Sequence, residues 1–141
     1  MLNKKNFYIN GKWVKPDSEK EIKVINPANE DVCTLITLGN KKDIDTAVFA
    51  AKEAFKLWGY SPKEERIDYL EKLYTLYKQR WDDFTNAIVL EMGAPKEFAS
   101  KLQVGAGAAH IKSFIKYLKE FNFDKPLNDH LANQRIIYEP K

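Results

Sequence analysis

The sequence is poor in the residues that build most metal and disulfide sites. It has one cysteine, Cys33, and two histidines, His110 and His130. A single thiol excludes an internal disulfide framework and a cysteine-rich zinc site. Neither a histidine nor a helix start lies near Cys33 in the sequence to activate it, so we predict a packed, structural thiol. A lone reduced thiol is ordinary in the cytosol, and we expect a cytoplasmic protein.

The chain also lacks a strong charge of one sign and a long apolar run. Lys and Arg number 23 against 20 Asp and Glu, which leaves +3 with both signs mixed. This balance does not predict a nucleic-acid-binding face. No apolar run approaches the ~18 residues of a membrane helix, and no apolar stretch follows the basic N-terminus as in a signal peptide. We therefore expect no nucleic-acid partner and no membrane partner.

What is present predicts a folded domain. The chain has 141 residues, of which 44% are hydrophobic and 30% charged, and one domain of ~100–200 residues suits that length. Asn10-Gly11 between two apolar-rich runs predicts a β-hairpin, because a type I′ turn needs positive φ at both central residues. Alternation predicts a strand over Glu21–Ile25, and Val32–Leu38 predicts a strand covered on both faces.

After residue 40 the apolar period changes to three and four, which predicts three helices. The first has Ile44 and Trp58 on its apolar face, with Asn40 as N-cap and Gly59 at its end. The second begins with a capping box at Ser61–Glu64. It is long, so we expect a bend near Arg80–Asp83.

The third helix is predicted over Lys96–Phe121. Its apolar residues near one face include Phe98, Leu102, Ala106 and Ala109. Gly105 and Gly107 weaken a helix and indicate that another backbone or a ligand comes close. The polar stretch that follows ends in a short strand, Arg135–Tyr138, and no complete βαβ dinucleotide-binding unit is visible.

Residue chemistry alone indicates no active site. The acidic residues look like helix caps or solvated faces: Glu64, Glu65, Asp82, Asp83, Glu91 and Glu97. Gly105-Ala106-Gly107 lacks the preceding strand that a phosphate-binding turn needs. His110 lies mid-helix, where a structural role is favoured, and His130 lies in a polar loop.

Taken together, however, a series of segments resembles the N-terminal region of the aldehyde dehydrogenase superfamily. The segments are Phe7–Trp13, Val24–Asn29, the Ala- and Phe-bearing helix Asp43–Phe55, Ser61-Pro62 with Arg66, Leu90–Pro95, and Arg135–Pro140. Each is weak alone, but their order and spacing match over nearly the whole chain. The resemblance implies an α/β fold of the aldehyde dehydrogenase type, of which this chain is only the N-terminal portion: short antiparallel strands, three helices and a terminal strand.

The resemblance implies an enzyme roughly three times longer that oxidises an aldehyde to a carboxylic acid with NAD or NADP. Its nucleophilic cysteine, general-base glutamate, oxyanion asparagine and coenzyme contacts fall beyond Lys141. Cys33 does not align with the nucleophile. No catalytic or cofactor-binding residue is therefore expected in this chain, which should bind no coenzyme and show no activity alone.

A few positions carry over from the family. Ile25, through its backbone carbonyl, and Glu91 fall where family members bind a monovalent cation, although Glu91 could equally be an exposed helix-end acid. Leu102 and Ala106 align with the border of the substrate tunnel, against ordinary core packing as the alternative. Residues 1–120 correspond to the N-terminal part of the coenzyme-binding domain. Residues 121–141 correspond to an oligomerisation arm and the start of a return strand, which implies a homo-oligomer formed through Phe121–Tyr138.

Two hypotheses remain open at this point. The first is an N-terminal piece of an aldehyde dehydrogenase, whether through truncation, a split gene or an incomplete sequence. The second is a stand-alone interaction module that associates with a full-length paralogue through the arm. The sequence does not identify the aldehyde or distinguish NAD from NADP.

Overall fold

Short strands form the first part of the chain. The computed structural model describes residues 2–127 and 134–140, with side chains described from Lys5 onward. The strands are β1 (Leu2–Lys4), β2 (Phe7–Ile9), β3 (Lys12–Val14), β4 (Glu21–Ile25) and β5 (Val32–Thr37). β5 is the centre of a small sheet, antiparallel to β4 and parallel to β1. The parallel pairing was not predicted, because three residues are too short to show a periodic pattern.

The β2–β3 hairpin is confirmed. Asn10 and Gly11 have φ of 51° and 73°, the positive values that a type I′ turn needs. The register places Tyr8 opposite Trp13, with their rings edge to face at 5.2 Å between centroids. Every residue of β5 is half-buried except the buried Thr34, which agrees with a strand covered on both faces.

The helical part follows the predicted order. The helices are α1 (Lys41–Trp58), α2 (Lys63–Gln79), α3 (Trp81–Met92), α4 (Lys96–Phe98) and α5 (Gly105–Glu120). The break at Arg80 between α2 and α3 confirms the predicted bend. Gly93 ends α3 in the left-handed conformation, with φ of 64°, a role that favours glycine. Between α4 and α5 lies a π-helical turn, Ala99–Val104, which the sequence did not predict.

One predicted cap is confirmed and the other is wrong. Asn40 and Asp43 form a reciprocal capping box at the start of α1. At the start of α2, by contrast, Pro62 is the N-cap and no side chain caps the helix. The Ser61 hydroxyl instead donates to the Trp58 carbonyl at 2.8 Å and accepts from Arg66 Nε at 2.9 Å. The Ser61 hydroxyl therefore bonds the C-terminal end of α1 and the Arg66 side chain, and it does not cap the N-terminus of α2.

The end of the described chain is a second small hairpin. β6 (Asp124–Pro126) pairs antiparallel with β7 (Arg135–Ile137). The predicted final strand is thus present, and β6 pairs with it on one side. β6 was missed because it is polar, exposed and ends in proline. His130 lies outside the described residues.

The core is small and lies among the later helices. Contacts join α2 to α5, and α3 to the π-helical turn. Within the described chain, the buried apolar residues other than proline and glycine are Ala99, Val104 and Ala108. No residue of α1 is buried, although its apolar face is well formed. The mixture of short strands and helices agrees with the predicted fold class, and much apolar surface is left uncovered.

Candidate functional site

The first candidate site pairs the end of β4 with the end of α3. Ile25 is the last residue of β4, and Asn26 opens a tight turn in which its side-chain oxygen accepts from the Ala28 N–H at 2.9 Å. Gly93 lies against this turn: a Cβ built on Gly93 would be 2.8 Å from the Ala28 nitrogen and 3.0 Å from Asn26 Oδ1. The contact brings together two segments that carry Ile25 and, two residues before Gly93, Glu91.

The atoms near this junction that could bind a cation are oxygens. Glu91 is exposed near the C-terminus of α3, and Ile25 offers a main-chain carbonyl at the edge of the turn. Carbonyl and carboxylate oxygens suit a hard cation. Among the described residues, no three His, Cys, Asp or Glu side chains cluster as a metal site would require. Any cation here would therefore rely on main-chain oxygen in addition to Glu91.

The second candidate site is the helical face that carries Leu102 and Ala106. Leu102 is 58% exposed and Phe98 43% exposed, and Ala106 is exposed beside them. The residues that pack inside are Ala99, Val104 and Ala108. Leu102 and Ala106 are therefore not covered by the described residues of this chain.

Tyr77 and Trp81 hold the π-helical turn from the other side. The Tyr77 hydroxyl donates to the Val104 carbonyl at 3.1 Å, and the Trp81 indole N–H donates to the Ser100 hydroxyl at 2.9 Å. A Cβ at Gly107 would lie 2.3 Å from the Tyr77 hydroxyl oxygen. Gly107 is thus a site of close approach, but the approaching group is the Tyr77 side chain and not the backbone or ligand that was predicted.

Sequence reasoning missed the roles of Tyr77 and Trp81. Both follow the apolar period of their helices, so the pattern assigned them to a packed face and said nothing of their polar atoms. The glycine at position 107 was the available signal, because it marked where a neighbour comes close.

Cys33 and His110 take no part in either candidate site. Cys33 is half-buried on β5, and its thiol donates to the Val24 carbonyl on the neighbouring strand at 3.2 Å. This agrees with a structural thiol. His110 is exposed on α5.

The strongest electrostatic feature joins the loop after β3 to the start of α1. Asp43 accepts from the Asp17 main-chain N–H at 2.8 Å and from the Asn40 N–H at 3.0 Å, and these bonds lower the pKa of Asp43. Asp17 accepts from the Lys42 ammonium and the Asn40 amide. The bond with Lys42 is the main cause that lowers the pKa of Asp17 and raises the pKa of Lys42.

This junction anchors α1 and offers no reaction centre. The Asp17 carboxylate is exposed and the Asp43 carboxylate is half-buried, and both accept hydrogen bonds from donors of the chain itself. Across the part of the chain that the structure describes, no helix combines the length and apolar character needed to span a membrane.

Comparison with known proteins matches nearly the whole chain to one family. The model of the aldehyde dehydrogenase family matches residues 13–141. The chain is similar to a 3-succinoylsemialdehyde-pyridine dehydrogenase from a Pseudomonas species, with 36% identity over 99% of this chain and 29% of the relative. It thus spans less than a third of the length of that protein.

Solved structures give the same result. An aldehyde dehydrogenase from Bartonella henselae superposes with a TM-score of 0.89 and 42% identity, over 92% of this chain and 27% of that one. A variant of aldehyde dehydrogenase C from Pseudomonas syringae, solved with NAD+ and octanal, superposes with a TM-score of 0.85 and 34% identity, over 88% of this chain and 26% of that one. Sequence, fold and coverage agree, and the chain belongs to the aldehyde dehydrogenase family, of which it represents an N-terminal segment.

Proposed function

We propose that this chain is the N-terminal part of an NAD(P)-dependent enzyme that oxidises an aldehyde to a carboxylic acid. The observation that carries the proposal is the match to aldehyde dehydrogenases over residues 13–141, of which the chain spans little more than a quarter. In the complete enzyme a cysteine thiolate attacks the aldehyde, loss of hydride from the adduct gives a thioester, and water hydrolyses the thioester to the carboxylic acid. The coenzyme supplies the hydride acceptor.

This chain contributes scaffold to that reaction. We assign residues 1–120 to the N-terminal part of the coenzyme-binding domain. The support is the uncovered apolar surface of α1, where Phe49 and Leu57 are largely exposed, since faces of this kind mark an interface that remains to be filled. The described residues of this segment offer no glycine-rich turn between a strand and a helix. The coenzyme contacts are therefore assigned to the remainder of the enzyme.

We assign residues 121–141 to an oligomerisation arm and the start of a return strand. Phe121 packs edge to face on Phe123 and on Tyr138, with ring centroids at 4.7 Å and 5.4 Å. Around this aromatic cluster, Leu127 and Ile137 remain exposed on the β6–β7 hairpin. A partner subunit of a homo-oligomer would cover them.

Two local roles belong to the same proposal. The Ile25 carbonyl and the Glu91 carboxylate are proposed ligands of a monovalent cation, supported by the contact between their two segments at Gly93. Leu102 and Ala106 are proposed to border the substrate tunnel, the passage of the aldehyde, supported by their exposure on one helical face.

We place the enzyme in the cytoplasm. No described feature favours the alternative of a stand-alone interaction module.

The proposal is tested by completing the enzyme. This chain replaces the matching N-terminal segment of the unsubstituted aldehyde dehydrogenase C from Pseudomonas syringae, and NADH formation from octanal is measured for the resulting fusion enzyme. We expect aldehyde-dependent NADH formation by the fusion, and none by the 141-residue chain or by the relative without its N-terminal segment. A soluble, folded fusion without activity would contradict the proposal, as would activity of the chain alone once host enzymes are excluded.

A further inference from the structure

We propose that Tyr77 and Trp81 are positioning residues, which hold the π-helical turn Ala99–Val104 so that Leu102 and Ala106 face the aldehyde. The inference rests on the proposed function, because it takes the exposed face of this helix as the border of the aldehyde passage. Neither residue touches substrate in this account. Each acts through its hydrogen bond to the π-helical turn.

The spacing of the buried residues shows what the π-helical turn does. Ala99 and Val104 are both fully buried, at 0% exposure, and they are five residues apart; Ala108 follows after four and is 8% exposed. In an uninterrupted α-helix each residue turns by about 100°, so two residues five apart point about 140° away from each other. The wider π-helical turn brings them back to one side.

The exposed face depends on the same turn. Leu102 lies within the turn and Ala106 just after it, in the first turn of α5. If the segment relaxed to an α-helix, the residues before it would rotate by about 100° relative to those after it. Leu102 lies inside the turn and would rotate by part of this angle relative to Ala106 and to the buried Ala108.

Two side-chain donors stabilise the turn at its two ends. The Tyr77 hydroxyl bonds the Val104 carbonyl at the last residue, and the Trp81 indole bonds Ser100 near the first. The two donors lie on either side of the α2–α3 break, and their rings meet edge to face at 6.4 Å between centroids. The Tyr77 ring also stacks on Phe84, with ring centroids at 4.5 Å. This contact fixes the position of the ring and therefore of its hydroxyl.

The room for this arrangement comes from Gly107. Any side chain at position 107 would meet the Tyr77 hydroxyl. A Cβ built on Gly105, by contrast, would meet nothing closer than the Ser100 carbonyl oxygen, at 3.9 Å. A glycine in a helix costs up to ~1 kcal/mol relative to alanine. The cost at position 107 is thus linked to a specific contact with the helix, which supports a role for Tyr77 beyond filling space.

The test compares Tyr77→Phe and Trp81→Phe with Tyr74→Phe in the fusion enzyme. The first two variants keep an aromatic ring and lose the donor, and the third removes a hydroxyl one turn earlier on α2 that does not reach the π-helical turn. We measure kcat and KM for acetaldehyde and octanal, together with amide hydrogen exchange of residues 99–105 in the fusion enzyme.

We expect faster exchange in the first two variants and a KM for octanal raised about tenfold, the lower end of the effect that a misfit in an apolar site gives. The kcat for acetaldehyde and both constants of Tyr74→Phe should be unchanged. Faster exchange with an unaltered KM for octanal would overturn the positioning role and leave the proposed function intact. Unaltered hydrogen exchange of residues 99–105 would show that the Tyr77 and Trp81 hydrogen bonds do not stabilise the π-helical turn. If the unmutated fusion is folded but inactive, the proposed function fails, and this inference fails with it.

Discussion

At the scale of single residues, an added methyl group should have opposite effects at Gly107 and Gly105, near the start of α5. Gly107→Ala places a methyl group against the Tyr77 hydroxyl, where a Cβ would be 2.3 Å from the oxygen. Overpacking of this kind costs about 1–3 kcal/mol, of which the better helix propensity of alanine returns up to ~1 kcal/mol. We expect a lower melting temperature for Gly107→Ala in the fusion enzyme.

The matched control is Gly105→Ala, whose Cβ meets nothing closer than 3.9 Å. It should leave the melting temperature unchanged or raise it, because only the helix propensity changes. Removal of the hydroxyl in the double variant Tyr77→Phe with Gly107→Ala should recover part of the loss. Equal effects of the two single alanine substitutions would contradict the close approach of Tyr77.

Cys33→Ser should be nearly silent. A serine hydroxyl can donate to the Val24 carbonyl as the thiol does at 3.2 Å, and the position is only half-buried. We expect unchanged kcat and KM in the fusion enzyme and a loss of unfolding free energy below about 1 kcal/mol. A loss of turnover in a normally folded variant would show that Cys33 takes part in the reaction.

At the scale of elements, the attachment of α1 should depend on pH at both extremes. Asp17 and Asp43 have pKa values lowered from 3.8 in the folded chain. Their contribution to stability is therefore present above pH 3.8 and is lost as the pH falls through the lowered values. The pKa of Lys42 is raised above 10.5, so its contribution is lost only as the pH rises through that higher value.

The measurement is the melting temperature of the fusion enzyme and of its Asp17→Asn variant as a function of pH. The asparagine keeps an oxygen for the Asn40 amide and loses the ion pair with Lys42. The difference between the two proteins should be constant near neutral pH and shrink as the pH falls below 3.8. A difference that grows on acidification would contradict the arrangement.

The elements show which parts of the fold were predictable. The hairpin at Asn10-Gly11, the cap at Asn40 and the break at Arg80 are local, and the residues that cause them are neighbours in sequence. The parallel partner of β5 and the strand β6 are too short for a period. The cap expected at Ser61 failed because Arg66 and the end of α1 compete for the same hydroxyl.

The candidate site was predictable only in part, for the same reason. Leu102 and Ala106 entered through the family resemblance, and helical spacing alone would have assigned them to a buried face. The π-helical turn beside them is bonded by donors from Tyr77 and Trp81, more than fifteen residues away in sequence. Periodicity carries no information about such contacts.

At the scale of the whole molecule, the central claim is that the apolar faces of this chain are completed by the remainder of an aldehyde dehydrogenase. The buried apolar core of the described residues is confined to a few side chains around Val104, while large residues on α1, α2 and α5 remain exposed. A complete domain is stable by about 5–15 kcal/mol, and so small a core should not reach that range. Exposed apolar surface of this extent favours association.

The most direct test is sedimentation velocity of the purified 141-residue chain as a function of protein concentration. We expect self-association of the chain that grows with concentration, whereas the fusion enzyme should sediment as a defined oligomer. A chain that remains a compact monomer over the whole concentration range would show that its apolar faces need no further segment, and would favour a module that is complete in itself.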